Sequence, residues 1–194
     1  FNKNNITEIN NSTFNKLKSL KELHIRGNRL AELGPNSFKA LNKLEHLDLS
    51  NNLISKIDRD AFQGLQQLKS LNLSENLLTT IPSSSFNFVP NLTILDLGSN
   101  YFVNLPNNAF SSLNNLDELY LLDCGIEKID AQAFDGLNSL STLRLQSNHL
   151  EVLFRIFLFR IFLFRIFLLF RIFSHLIMLY KMLFRVSVVS YVFL

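Results

Sequence analysis

A strict period of 24 residues runs through most of this 194-residue chain. A Leu, a Phe and an Asn each return at a fixed position of the repeated unit. The Leu series is Leu20, Leu44, Leu68, Leu92, Leu116 and Leu140, and the Phe series is Phe14, Phe38, Phe62, Phe86, Phe110 and Phe134. A period of this size decides the architecture before any local prediction, because every unit must form the same small element and stack on its neighbours.

The unit has the pattern LxxLxLxxNxLxxLxxxxFxxLxx, which predicts a short strand followed by a turn. The Leu residues of LxL alternate, so they lie on one face of a strand, and the following Asn favours a turn. One unit buries about seven apolar side chains, each worth roughly 1.5–3 kcal/mol, whereas ordering its backbone costs roughly 1–2 kcal/mol per residue. A single unit is therefore unstable, and stacked units are predicted to form a solenoid with a parallel sheet along one face.

These residues resemble the leucine-rich repeat family, in its 24-residue, Phe-containing type, over residues 1–153. The resemblance implies an α/β fold: a right-handed horseshoe solenoid with the parallel sheet on its concave face. It also implies a ladder of side chains hydrogen-bonded from coil to coil. The expected ladder residues are Asn28, Asn52, Asn76, Asn100, Cys124 and Asn148. Cys is a substitute that the family shows at this position, so we interpret Cys124 as a buried thiol rather than a reactive one.

The resemblance further implies protein–protein recognition, with no enzyme activity and no cofactor. The Phe-containing type is typical of extracellular proteins, which predicts an extracellular or cell-surface location. About six repeats without Cys-rich caps, truncated at the N-terminus, predict an internal fragment of a longer protein. Toll-like receptors, Slit-like proteins, chaoptin-like proteins and proteins with immunoglobulin domains all fit. The alternatives are the ectodomain of a membrane-anchored receptor in signalling or adhesion, and an intracellular scaffold.

Several Asn residues stand in the N-x-S/T pattern of glycosylation acceptors. The candidates are Asn5, Asn10, Asn11, Asn72 and Asn91. A chain rich in Asn, Ser and Thr also produces this pattern by chance. Asn72 lies between two Leu residues of a strand, so a glycan on it would block the middle of the concave face.

The phase of the strands predicts which side chains lie on the concave face, and two groups stand out. The first, which we call the acid–His cluster, contains Glu22, His24, His46 and Asp48. The second, which we call the Tyr–Arg cluster, contains Ile94, Tyr120, Leu122 and Arg144, with Asp96 and Glu118 beside them. Tyr and Arg are the usual anchors of protein interfaces. The Tyr–Arg cluster is therefore the preferred site for a protein ligand, against the alternative of an ordinary solvated sheet face.

The acid–His cluster also has the residue types of a metal site, or of a hydrolytic triad that uses Ser50 or Ser74. Ligands on a flat sheet diverge, however, and the chain has no HExxH, paired CxxC or GxSxG motif. Neither metal binding nor catalysis is expected. A weak pH-dependent contact through His24 and His46 is the remaining chemical interpretation.

Charge divides the chain after the repeats. Residues 1–153 contain 13 Lys and Arg and 16 Asp and Glu, whereas residues 154–194 contain six basic residues and no acidic one. The repeats are thus mildly acidic, and no nucleic-acid partner is expected for them.

Residues 154–194 open with FRIFL repeated three times, a period of five that suits neither a helix nor a strand. Lys181 and Arg185 make membrane insertion of residues 172–194 marginal. We interpret this segment as non-native or, alternatively, as a poor membrane anchor, so that a membrane is a partner only if residues 172–194 insert.

Overall fold

The computed structural model describes residues 1–150, and the predictions made for residues 154–194 lie outside the described residues. It contains ten short strands. They are β1 (Glu22–His24), β2 (Glu32–Leu33), β3 (His46–Asp48), β4 (Lys56–Ile57), β5 (Ser70–Asn72), β6 (Ile94–Asp96), β7 (Asn104–Leu105), β8 (Glu118–Tyr120), β9 (Lys128–Ile129) and β10 (Thr142–Arg144). The three-residue strands form one parallel sheet in the order β1-β3-β5-β6-β8-β10. The predicted solenoid with a parallel sheet along one face is confirmed.

The register of this sheet follows the 24-residue period. Leu23 lies beside Leu47, and Leu71 beside Leu95, so each Leu has its equivalent in the next coil as its neighbour. The central Leu of each of the main-sheet strands β1, β3, β5, β6 and β8 is at most 3% exposed. The flanking residues of each strand face outward because side chains alternate along a strand.

The Phe series fills the interior on the side opposite the sheet. Phe14, Phe38 and Phe62 form one stack, with ring centroids 6.0 and 6.4 Å apart. A second stack contains Phe86, Phe110 and Phe134, with spacings of 6.5 and 6.2 Å. Stacked aromatic rings bury a large apolar area and so hold successive coils together.

The helical half of the predicted α/β class is almost missing: within residues 1–150 the only helix is the 3-10 helix Ser85–Phe88. Opposite the main sheet lie two small parallel sheets, β2–β4 and β7–β9. The two small sheets are not joined to each other, because the third coil, which begins with β5, has no small-sheet strand between β4 and β7. Two prolines explain why the small sheet is interrupted there. Asp58 N–H donates to Leu33 O and Asp130 N–H donates to Leu105 O, whereas the equivalent positions hold Pro82 and Pro106, which have no N–H to donate.

The Asn series forms a hydrogen-bond ladder at the end of the main strands. Asn76 is typical: its amide donates to the carbonyls of Leu49 and Leu73 at 3.1 and 3.0 Å, and its Oδ1 accepts the Ile54 N–H at 3.0 Å. Asn28, Asn52, Asn100 and Asn148 repeat this arrangement. Each amide thus satisfies buried backbone groups of its own coil and of the preceding one.

Cys124 occupies the remaining place in the ladder and is 1% exposed. Its Sγ lies 3.4 Å from Leu97 O and 3.3 Å from Leu122 O, and its single S–H can donate to one of these carbonyls at a time. Burial raises the pKa of the Cys124 thiol to about 11, so the thiol stays protonated and unreactive at neutral pH.

No helix within residues 1–150 has the length and apolar character needed to cross a membrane. The segment 172–194, for which marginal insertion was predicted, lies outside the described residues.

Candidate protein-binding face

The outward side of the six-stranded sheet, which is the predicted concave side, carries the candidate site; we call it the sheet face. Side chains at equivalent positions of successive strands are direct neighbours on it, as His24, Asp48, Asn72, Asp96, Tyr120 and Arg144 are. Neighbouring strands lie about 4.8 Å apart. Backbone hydrogen bonds between the six strands hold the sheet together, so they fix the spacing of the side chains on the sheet face.

The structure brings the acid–His cluster together at the N-terminal end of the sheet face. His24 lies between two carboxylates, with Nδ1 3.7 Å from Asp48 Oδ2 and Nε2 3.8 Å from Glu22 Oε2. A shallow groove of about 320 Å³ runs beside it. Its lining residues are Glu22, His24, His46, Leu47, Asp48, Ser70 and Asn72. Exposure of His24 and His46 allows water to screen these charges.

The structure does not bring the Ser hydroxyls of the considered hydrolytic triad into a hydrogen bond with His24. Ser50 Oγ donates to Asp48 Oδ1 at 2.6 Å, and Ser74 Oγ donates to Asn72 Oδ1 at 2.7 Å. Both hydroxyls are therefore bound to the last residue of the preceding strand rather than to His24. Within residues 1–150, no group of three or more His, Cys, Asp or Glu side chains has metal-binding geometry.

The Tyr–Arg cluster is assembled on β6, β8 and β10. The Tyr120 hydroxyl donates to the Glu118 carboxylate, and the Arg144 guanidinium lies over the Tyr120 ring, 5.8 Å from its centroid. The hydrogen bond to Glu118, together with burial, raises the pKa of Tyr120 above its ordinary value. These two contacts fix the orientation of a half-buried aromatic ring, with the half-buried Ile94 and Leu122 nearby.

Asp96 lies in the middle of the sheet face as the register neighbour of Tyr120. Its Oδ1 accepts the Gly98 N–H at 2.9 Å. Burial raises the pKa of Asp96, and the carboxylates of Glu75 and Asp48 raise it further. Asp96 is thus a half-buried carboxylate in a negative environment.

The candidate glycosylation residues differ in their surroundings. Asn5, Asn10, Asn11 and Asn91 are exposed, whereas Asn72 is half-buried on the sheet face. Asn91 donates through Nδ2 to Gln66 O at 2.9 Å, so a glycan there would replace one surface hydrogen bond.

Two features adjoining the sheet face were missed in the sequence. One is the position before each ladder residue, where φ is positive. Glu75 and Asp123 occupy this position and lie at the border of the sheet face. The other is an exposed apolar row one residue after the ladder, formed by Leu53, Leu77 and Tyr101, each at least 40% exposed. Both follow the 24-residue period, which was the signal available for finding them.

Comparison with protein families gives one match. The family described as BspA type leucine rich repeat region matches in six copies, over residues 1–102 and 31–159. No curated protein sequence matches the chain.

Solved structures with the same architecture include a TLR13–ssRNA13 complex, at 35% sequence identity and a TM-score of 0.74 over 76% of this chain. The mouse RP105/MD-1 complex is similar at 32% identity and a TM-score of 0.69, with 75% of this chain covered. The Leptospira interrogans LRR protein LIC12759 is similar at 31% identity and a TM-score of 0.64, with 72% covered. The match spans only 21%, 25% and 34% of those three chains, respectively.

Proposed function

Because the chain belongs to the BspA type leucine-rich repeat family, we propose that it is a protein-interaction module that binds a protein ligand on the sheet face. The observation that carries the proposal is the Tyr120 ring, held between Glu118 and Arg144. An aromatic side chain fixed before binding loses little conformational entropy on binding, and such residues contribute most of the affinity of protein interfaces. The mouse RP105/MD-1 complex is a relative of this fold in a protein complex.

The proposal is tested with a displayed library of random 12-residue peptides selected against the full chain. We expect Tyr120→Ala and Arg144→Ala each to weaken the selected peptides by tenfold or more, as loss of an interface anchor does. Tyr101→Ala is the matched control, because Tyr101 is an exposed Tyr that lies off the sheet face. Peptides that lose affinity with Tyr101→Ala but not with Tyr120→Ala would contradict the choice of site.

Single-stranded RNA is the second candidate ligand, because the TLR13 relative was solved with ssRNA13. The expectation that no nucleic acid binds receives no support from the comparisons. It rests on charge: the central strands of the sheet face carry Asp48, Asp96 and Glu118, which repel phosphate. Retention of a labelled single-stranded RNA by the chain, weakened by added salt, would favour the RNA alternative.

An extracellular or cell-surface location remains part of the proposal, and its support is the resemblance of the repeat to the 24-residue, Phe-containing type together with the candidate glycosylation residues. The alternatives are a receptor tethered by residues 172–194, in signalling or adhesion, and an intracellular scaffold. Glycan mass on Asn5, Asn10, Asn11, Asn72 or Asn91 after expression in secretory cells would favour the first two, and a glycan-free secreted product would remove that support. We propose no enzymatic activity and no cofactor, in keeping with a family match that describes a repeat region.

A further inference from the structure

The same small turn closes three consecutive strands of the sheet face. In each, the side-chain Oδ1 of the last strand residue accepts the backbone N–H two residues later. The pairs are Asp48 with Ser50 at 3.0 Å, Asn72 with Ser74 at 2.9 Å and Asp96 with Gly98 at 2.9 Å. Because the three turns are equivalent, a difference among them reflects the side chains and not the backbone.

The third turn lacks a donor that the other two have. Ser50 and Ser74 each add a hydroxyl hydrogen bond to the same oxygen, whereas Gly98 has no side chain to do so. Asp96 therefore keeps one hydrogen bond where Asp48 has two.

The charge of Asp96 is also uncompensated, whereas Glu75 pairs with an Arg and Asp48 lies beside a His that can pair with it when protonated. Asp48 lies 3.7 Å from the His24 ring, and Glu75 lies 3.3 Å from the Arg26 guanidinium. Within residues 1–150, no Lys, Arg or His lies within ion-pair distance of Asp96, and the nearest charged groups that influence it are acidic. A half-buried carboxylate without a cation is costly, because burial removes water that would otherwise stabilise the charge.

The side chains beside Asp96 have the chemistry to receive a long cationic side chain. Ile94 precedes it on the same face of β6, and Tyr120 lies beside it on β8. A Cβ atom at position 98 would lie 3.2 Å from Asp96 Oδ1 and 3.3 Å from Leu122 O, so this position is tightly packed and favours a glycine, which brings no hydroxyl to Asp96. Lys and Arg lay their aliphatic stems on apolar surface and place the charged head against a carboxylate.

We propose that Asp96 is the receptor for a single Arg or Lys side chain of the protein ligand, with the stem of that side chain lying against Tyr120 and Ile94. The inference rests on the proposed function, because it presupposes a protein ligand on the sheet face. Charge complementarity selects the occupant, because a cation neutralises the uncompensated carboxylate of Asp96.

The test uses peptides selected against the full chain from the random 12-residue library. Each selected peptide is also synthesised with its basic residues replaced one at a time by neutral isosteres, citrulline for Arg and norleucine for Lys. We expect one basic position whose neutralisation weakens binding by about tenfold or more, as loss of a charge-assisted hydrogen bond does. Asp96→Asn should weaken the parent peptide by a similar factor, and it should make the neutral and basic peptides bind equally well.

Two further variants separate charge from folding. Gly98→Ser keeps the carboxylate but supplies the hydroxyl that Ser50 and Ser74 supply in the equivalent turns, so it should also weaken the basic peptide; because its Cβ would lie close to Leu122 O, its urea unfolding is compared with that of the parent chain. Asp123→Asn removes an exposed carboxylate at the border of the sheet face, away from Asp96, and should leave the affinity for the peptide within about twofold.

The outcomes distinguish this inference from the proposed function. Peptides that depend on Tyr120 but bind equally well to Asp96→Asn would overturn the cation receptor and leave the binding face in place. Peptides that respond to no substitution on the sheet face would overturn both.

Discussion

Replacing Cys124 by Asn is expected to stabilise the solenoid. In the preceding coil, Asn100 donates to Leu73 O and Leu97 O, and its Oδ1 accepts the Leu78 N–H at 3.0 Å. The thiol of Cys124 makes only two long contacts to carbonyls, and within residues 1–150 the Phe102 N–H, which is equivalent to that of Leu78, has no acceptor. Cys124→Asn supplies the missing acceptor in a site that already fits Asn in every other coil.

The magnitude follows from the buried Phe102 N–H. A buried donor without a partner costs about 1–3 kcal/mol. Burying the Asn amide, which is more polar than the thiol, has a desolvation cost that offsets part of the gain. We therefore expect a gain of about 1–2 kcal/mol in the free energy of unfolding. For a chain of this length the gain corresponds to about 2–8 °C in Tm.

Urea unfolding followed by circular dichroism measures the global change, and hydrogen exchange of the Phe102 amide measures the local one. The matched control is the reverse exchange, Asn76→Cys, which leaves the Ile54 N–H without its acceptor and should lose a similar amount. If Cys124→Asn does not raise stability, or if the Phe102 amide exchanges as fast as before, the reasoning from the missing acceptor is wrong.

Three other predictions concern the backbone and the surface. Gly136→Ala should destabilise the chain by about 2 kcal/mol or more in urea unfolding, because φ is +89° and the added Cβ would lie 2.6 Å from Ser111 O. Gly34→Ala is the control: its added Cβ would have no neighbour within 4 Å, so stability should change by less than about 0.5 kcal/mol. Ser99→Gly should gain up to about 1 kcal/mol in the same assay, since Ser99 has a φ of 52°. Hydrogen bonds from Lys69 and Lys21 lower the pKa of Glu45 from 4.5 to about 2 in the folded chain. The stability advantage over Glu45→Gln should therefore be complete above pH 4.5 and be lost as pH falls through about 2. An advantage that is undiminished at pH 2 would contradict this assignment.

The 24-residue period was sufficient to predict the main sheet. Because side chains alternate along a strand, the phase of the Leu residues determined which residues face outward, and the register Leu71 to Leu95 follows from the same count. The opposite side of the coil could not be predicted in this way. Its backbone depends on single residues such as Pro82, whose missing N–H interrupts a ladder that the repeat pattern alone would continue.

The residues of the candidate site were predicted as neighbours, but their interactions were not. The phase brought Tyr120 beside Arg144, yet the orientation of the ring depends on a hydrogen bond to Glu118 that the residue order does not specify. The special position of Asp96 was also hidden. Its significance is a difference between equivalent turns, and that difference becomes visible only when the hydroxyls of Ser50 and Ser74 are seen to be bonded.

Pro82 and Pro106 also affect where the repeat array divides when it unfolds in part. In a linear array, each coil is coupled to its two neighbours by a separate interface energy, and the weakest interface decides where cooperativity ends. The third coil adjoins its neighbours through the main sheet, the Asn ladder and the core, but it lacks the backbone bonds that the small sheets give the others. The Phe stacks also break at one border of this coil, between Phe62 of the second coil and Phe86 of the third. Partial unfolding is therefore expected to divide the chain into an N-terminal and a C-terminal cooperative unit that meet in the third coil.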